Sequence, residues 1–405
     1  MNIVFLSPGF PAEMPFFTRG LALAGARVYG VGDQPRSALA AEAEEALFDY
    51  LQVGNLGDEA SVIDAVRRWL RGKSIDRIES NWETQMLLAA RMREAFSVHG
   101  MTVEQTLPFR DKETMKQLVE RAGIRVPRHA RAVDLAQAWA AVEKTGYPAI
   151  VKPIAGAGSK DTHRCNDRDE FNRALTATRH VAELSVEEYI DGEELTFDTV
   201  CAHGSVLYQN VAWYRPKPLV LANNPWISMQ NICLREPDQG IGKVGVELGH
   251  RVLKALNFQT GFTHMEWFLK PNGEAVFGEI GARPAGARLV HAMNFASDID
   301  LFAGWANAVC HGKLGFQVTR KYNSAMVFKR AQGDGTVREH QGLAGLLARY
   351  GEHVAHLELT PIGQPKKDWQ KVVVGDGWIV IRHPDLAKTL AMADAFGSEL
   401  RVVAN

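Results

Sequence analysis

The sequence predicts a protein of mixed α/β and α+β class, built in three parts, and three observations carry that reading. Up to Phe96, short apolar runs alternate with stretches of helical spacing, the pattern of a parallel α/β unit. At Gly261–Arg288, two apolar, aromatic-rich runs flank Pro271-Asn272-Gly273, a strong hairpin signal. From about Phe316, short strands and helices follow one another without a chemical motif, as in a small α+β domain.

The first unit opens on a buried strand at Asn2–Leu6 and a loop at Ser7–Pro11, followed by a helix at Met14–Ala24 and a strand at Arg27–Val31. Leu51–Val53, a helix through Ile63–Leu70, Ile75–Ile78 and a helix through Glu83–Phe96 continue the alternation. The first turn, Ser7-Pro8-Gly9-Phe10-Pro11, lacks G-x-G-x-x-G, so a dinucleotide-binding unit is disfavoured. Asp33 suits a ribose contact or a cap. Glu83 either caps its helix or faces a ligand at the carboxyl end of a strand.

Composition sets outer limits. Hydrophobic residues make up 46% and charged residues 23%, ordinary for a soluble globular protein. A formal charge of −1 argues against a general electrostatic grip on nucleic acid or membrane. The four cysteines are scattered and read as reduced thiols, which points to the cytoplasm. The start, Met-Asn-Ile-Val-Phe-Leu, reads as a strand and not a signal peptide, and no apolar run reaches membrane length.

The second part begins at Phe109-Arg110-Asp111-Lys112, where Asp111 caps a helix ended by Gly123. Val126-Pro127 marks a hinge. A helix at Leu135–Thr145 leads to the strand Ala149–Pro153, which carries Lys152, and then to the small-residue loop Ile154–Lys160. Such a loop lets backbone N–H groups approach phosphate oxygens, and a strand lysine adds a point charge; a plain glycine-rich turn is the alternative. The order Ser159-Lys160 excludes a Walker A loop. Val186–Ile190 and Glu193–Val200 read as strand, turn and strand. Residues 208–234, rich in proline and aromatics, read as a long functional loop.

The hairpin carries the chemistry. With Asn272-Gly273 as a two-residue type I′ loop, Phe268 faces Phe277 and Glu266 faces Glu279. Like charges directly opposite are destabilising and call for a shared proton or a cation. Mg²⁺ answers that need, since it takes carboxylate oxygens and brings a phosphate with it. Four residues on, Arg283 is a fork suited to phosphate or carboxylate. The opposite face, with Met265, Trp267, Leu269, Val276 and Ile280, is core. The alternative is an exposed edge with two solvated glutamates.

Four features in fixed order resemble the ATP-grasp superfamily: Asp111-Lys112, Lys152 with its Ala-Gly-Ala-Gly-Ser loop, Val186–Glu194, and Glu266 with Glu279-Ile-Gly-Ala-Arg283. The resemblance implies a three-part architecture: an N-terminal parallel α/β domain (1–108), a two-lobed ATP-grasp domain (109–315, mobile lobe about 127–190) and a C-terminal α+β domain (316–405). It implies ATP phosphate contacts from Lys112 and Lys152, and a closing loop at Gly156, Gly158 and Ser159. Adenine falls to the linker Glu187, Glu188, Tyr189 and Ile190, and the ribose to Glu194. Mg²⁺ (or Mn²⁺) falls to Glu266 and Glu279, and Arg283 with Lys152 takes the catalytic positions. Gly281 stands where many relatives have Asn, which removes one ligand or phosphate contact.

Within the superfamily the layout looks like the biotin-carboxylase-like group, which includes carboxylate–amine ligases. The expected reaction is ATP-dependent amide formation through an acyl phosphate, acting on a small carboxylate and an amine. Bicarbonate activation and nucleotide binding without turnover are the alternatives. Glu83, Arg288 and His291 are candidate substrate contacts, against surface or structural roles for the last two. A homodimer suits such an architecture.

Overall fold

The computed structural model describes residues 1–156, 161–224, 227–368 and 374–405. Four parallel strands, β1 (Asn2–Leu6), β2 (Arg27–Gly32), β3 (Leu47–Gln52) and β4 (Arg77–Glu79), form the first sheet in the order β3-β2-β1-β4. Ile3, Val4, Phe5 and Leu6 are all fully buried, as expected of a strand covered on both faces.

Helix Lys112–Arg121 follows, capped by the Asp111 side chain, which accepts from the Thr114 amide at 2.8 Å, and ended at Gly123 with φ +72°. An antiparallel sheet comes next: β5 (His129–Ala132), β6 (Ala149–Pro153), β7 (His163–Cys165) and β8 (Leu184–Glu188), in the order β5-β8-β6-β7. Helices Leu135–Thr145 and Arg168–Ala177 bury their apolar faces against it through Val142, Phe171 and Leu175.

The large sheet draws on most of the remaining chain. Its members are β9 (Glu193–Ala202), β10 (Ser205–Arg215), β11 (Gln230–Cys233), β12 (Gly261–Leu269), β13 (Ala275–Gly281) and β14 (Asn323–Lys329). Beyond β15 (Val337–Gln341), β16 (Val354–Leu359) and β17 (Gly377–His383) complete it, while β15 pairs with β18 (Arg401–Ala404). The order is β13-β12-β9-β10-β11-β14-β17-β16, antiparallel throughout. One face packs on helices Met14–Leu23, Leu289–Ser297 and Leu301–His311. The other packs on helices Lys112–Arg121, Lys243–Ala255 and Leu386–Glu399.

One expectation is corrected. Residues 208–234 are not one long loop: β10 and β11 run through the sheet, with Val211, Ala212 and Ile232 buried. The strand expected at 371–374 falls mostly on residues outside those described.

The hairpin turn also differs. Lys270 N donates to Glu274 O at 3.0 Å and Gly273 N to Lys270 O at 2.9 Å. Gly273 has φ +83° and Asn272 does not share it, so the loop is the three residues Pro271–Gly273 and not a type I′ pair. The pairs shift by one: Phe268 faces Val276, and Phe277 lies opposite Trp267 on the core face. A bulge between this stretch and Glu279 absorbs the extra residue, and Glu266 comes to face Glu279 after all.

Candidate active site

Period-two alternation on three neighbouring strands builds the site. Glu194, Thr196 and Asp198 of β9 pair with Phe268, Glu266 and His264 of β12, and Glu266 and His264 pair in turn with Glu279 and Gly281 of β13. Paired residues share a face, so one face presents Glu194, Glu266, Glu279 and Asp198 together. Burial, followed by repulsion from Glu266 and Glu279, pushes the Glu194 carboxyl up to about 8. That is the behaviour of buried carboxylates crowded on one face.

Two lysines meet the cluster. Lys152, on β6, places Nζ 3.3 Å from Glu279 Oε2 and 3.2 Å from Glu187 Oε2. Lys112, in the first turn of its helix, lies 3.5 Å from the same Glu279 oxygen and donates to Gly156 O at 2.7 Å. Burial acts against the Glu279 charge, yet Lys112 and Lys152 hold its carboxyl well below the usual range. Glu187 is likewise buried. Lys116 (Nζ to Oε1, 2.9 Å), Lys152 and the Ser185 hydroxyl (2.8 Å) bring its carboxyl down to about 2.

Arg283 reaches across to the first domain. Its Nε donates to Glu83 Oε2 at 2.8 Å and a terminal nitrogen lies 2.7 Å from the same oxygen. Arg110 pairs with the other Glu83 oxygen and donates to Ala155 O at 3.1 Å. Glu83 thus faces the site and is not a mere cap. At Gly281 an added Cβ would stand 3.2 Å from Arg283 Cγ, so the arginine stem fills the space beside this glycine.

The other expected residues have partners of their own. Glu188 accepts from Arg125 and Arg128 at 3.0 Å and does not join the lysine–glutamate group. The Tyr189 ring lies under the Arg164 guanidinium at 4.0 Å, and Ile190 is buried in the linker. Arg288 turns to the first domain, its amide bonded to Glu13 and a guanidinium nitrogen to Ala12 O at 3.2 Å. His291 stacks edge-on against Phe16 and Phe302, and Nε2 is buried without a hydrogen-bond partner among the described residues. Neither residue lines the cavity formed by Glu83, Arg110, Lys112, His264, Glu266, Glu279 and Arg283. Gly158 and Ser159 lie outside the described residues.

Four members of the site were not anticipated: Arg110, Lys116, Asp198 and His264. His264 Nδ1–H donates to Asp198 Oδ1 at 2.6 Å, and Nε2 lies 3.6 Å from Glu266 Oε1. Asp198 also accepts from Thr196 Oγ1 at 2.8 Å and Asn210 Nδ2 at 3.0 Å. Burial alone would lower the His264 imidazole; the hydrogen bonds to Asp198 and Glu266 outweigh it and raise the group to about 9. Two signals were available. His264 stands two residues before Glu266, hence on its face, and Lys116 stands one helical turn after Lys112.

Among the described residues, no group of three or more His, Cys, Asp or Glu side chains forms a metal-binding cluster, and no helix is long and apolar enough to cross a membrane.

Residues 111–194 match the family of the carbamoyl-phosphate synthase L chain ATP-binding domain. The chain is 25% identical over 288 residues to an L-arginine-specific L-amino acid ligase of Bacillus subtilis, covering 67% of this chain and 68% of that protein. It is 24% identical over 280 residues to the alanine–anticapsin ligase of Bacillus subtilis strain 168, covering 63% and 58%. Among solved structures, an L-amino acid ligase from Bacillus licheniformis superposes with a TM-score of 0.79 at 19% identity, over 100% of this chain and 98% of that one.

Proposed function

We infer that this chain, a member of the ATP-grasp superfamily, is an ATP-dependent ligase that joins a carboxylate to an amine through an acyl phosphate. The observation that carries the reading is the pairing of Glu266 with Glu279 across the hairpin, with Lys112 and Lys152 on Glu279. Two of the relatives are ligases of amino acids, which makes amino acids the first substrates to try.

A hard divalent cation fits the two facing carboxylates, Glu266 and Glu279, since the ion prefers few protein ligands and keeps water and phosphate oxygens for the rest. Glu266 and Glu279 would hold Mg²⁺ or Mn²⁺, which when bound neutralises β- and γ-phosphate charge. Lys112 and Lys152 exchange Glu279 for phosphate oxygens of ATP. Glu187 holds Lys152 and Lys116 in place, and the linker from Glu187 to Ile190 receives the adenine, with Glu194 on the ribose. Asp198 fixes His264, which braces Glu266.

In the reaction, a carboxylate oxygen attacks the γ-phosphorus and the bond to ADP breaks, leaving an acyl phosphate. Arg283 offers its fork where negative charge gathers on the transferring phosphoryl group. The amine then attacks the acyl carbon, phosphate leaves, and the nitrogen loses its proton. Closure of the lobe at 127–190 keeps water from the acyl phosphate. The described cysteines are free thiols, in keeping with a reducing cytoplasm.

The test is to incubate the protein with Mg·ATP and pooled amino acids, small carboxylates, amines and bicarbonate, and to separate the nucleotides. ADP and phosphate that require a carboxylate-containing pool are the expected result. AMP as product overturns the acyl-phosphate route, and ADP with bicarbonate alone overturns the ligase reading.

A further inference from the structure

Four cations surround the carboxylate pair, and each already holds protein oxygens. Lys152 meets Glu279 and Glu187, and Lys112 meets Glu279 and Gly156 O. Arg110 meets Glu83 and Ala155 O, and Arg283 meets Glu83 and, through Nη1 at 2.8 Å, Pro284 O. The cavity walled by Glu83, Arg110, Lys112, Glu266, Glu279 and Arg283 holds only about 10 Å³, room for about one water. A phosphoryl group with three oxygens enters it only if a wall group moves.

Glu83 is the wall carboxylate from the first domain. It opens a single turn of 3-10 helix, Glu83–Gln85, just beyond β4. Its two oxygens are divided between two arginines. Oε1 takes Arg110, and Oε2 accepts from Arg283 Nε at 2.8 Å with a terminal nitrogen at 2.7 Å. That edge of the guanidinium is the one that suits a phosphate equally well. Burial acts against the Arg283 charge; Glu83, ahead of Glu266 and Glu279, outweighs it and raises the group above its ordinary value. The Glu83 side chain is 13% exposed, so a guanidinium left bare here would be costly, whereas an exchange of one anion for another keeps the balance.

We propose that Glu83 is an intramolecular stand-in for the transferring phosphoryl group. It holds the Arg283 fork, yields it to the γ-phosphate of ATP and takes it back as phosphate leaves, while Arg110 keeps the other carboxylate oxygen as a pivot. Glu83 is then a positioning residue that tells nucleotides apart, because it competes with a γ-phosphate and not with the phosphates of ADP. The proposal rests on the nucleotide reading given above.

The test is calorimetry on the full chain, with Mg²⁺ and a non-hydrolysable ATP analogue in one series and Mg·ADP in the other. Glu83→Gln should tighten the analogue about tenfold or more, the scale of one charge-assisted contact, and leave ADP unchanged. In a chain already carrying Arg283→Gln, the same change should add nothing, because the exchanged partner is gone. Urea unfolding checks that each variant folds, and Glu83→Ala takes the place of Gln if Gln does not. An analogue-to-ADP affinity ratio that is unmoved or lowered overturns the proposal and leaves the ligase reading standing. A gain that persists beside Arg283→Gln also overturns it, since the gain would then come from the general loss of a negative charge. A wild-type chain that binds neither nucleotide overturns the nucleotide reading and the proposal with it.

Discussion

Replacing Glu279 by Gln keeps the shape of the side chain and removes one charge from the middle of the site. Its Oε2 lies 3.3 Å from Lys152 Nζ and 3.5 Å from Lys112 Nζ, directly opposite Glu266. At an effective dielectric near 20, a unit charge pair about 4 Å apart is worth up to about 4 kcal/mol. Solvent and relaxation reduce this, and about 3 kcal/mol lost from the transition state corresponds to a fall in turnover on the order of 10²-fold. The same change removes a negative charge that repels phosphate and competes for both lysines, so ATP without metal should bind as well as before, or better. The assay is ADP release against Mg²⁺ concentration with the carboxylate identified by the substrate screen, beside calorimetry of ATP in chelator. Unaltered turnover with unaltered Mg²⁺ dependence would refute the assignment of Glu279. A loss of metal-free ATP binding as large as the loss of rate would refute the electrostatic argument, since it would mean a collapsed pocket.

Three further outcomes follow from the geometry. Lys116→Met strips Glu187 of one of its two lysines in a fully buried setting, and should cost about 3 kcal/mol by urea unfolding, at the low end for a broken buried pair because Lys152 remains. Gly278→Ala places a Cβ 2.8 Å from the Glu266 carbonyl and should lower both stability and Mg·ATP affinity; Gly345→Ala, in an open helical position, should instead raise stability by about 0.5–1 kcal/mol. His291 is held neutral by burial, with Arg288 and His356 adding to the effect, its pKa lowered to about 3. A base with a lowered folded-state pKa loses stability as pH falls below its unfolded value near 6.5, so unfolding free energy should drop by up to about 2 kcal/mol between roughly pH 6.5 and 5, and His291→Gln should flatten that slope.

The carboxylate pair was legible because alternation along a strand is local, and Glu266 and Glu279 flank a single turn. The route to it was partly accidental. A two-residue loop was expected where three residues turn, and the bulge beside Gly278 restored the register. Nothing in the run Ala275–Gly281 announces that bulge beyond the glycine itself. Asp198 and His264 were missed because their hydrogen bond joins residues 66 apart in sequence, and pairing of β9 with β12 is a tertiary choice. The strands at 208–215 and 230–233 were masked by polar side chains: Asn210 and Asn231 are fully buried against the sheet, which composition reads as exposure. Arg288 and His291 had structural as well as substrate readings, and the left-handed residue at Arg288, φ +63°, brings its amide to Glu13 of the first domain.

The joining of β14 to β11 has a practical side for anyone wishing to shorten the chain. A protein ended before Asn323 would keep every residue of the carboxylate cluster and both lysines, yet β11 would become an open border with Gln230, Asn231, Ile232 and Cys233 stripped of their partners. Such a border recruits strands from neighbouring molecules. The truncated protein should therefore sediment as aggregates while the intact chain does not, and the last eighty-odd residues act as a selvedge that keeps the sheet from unravelling into its neighbours.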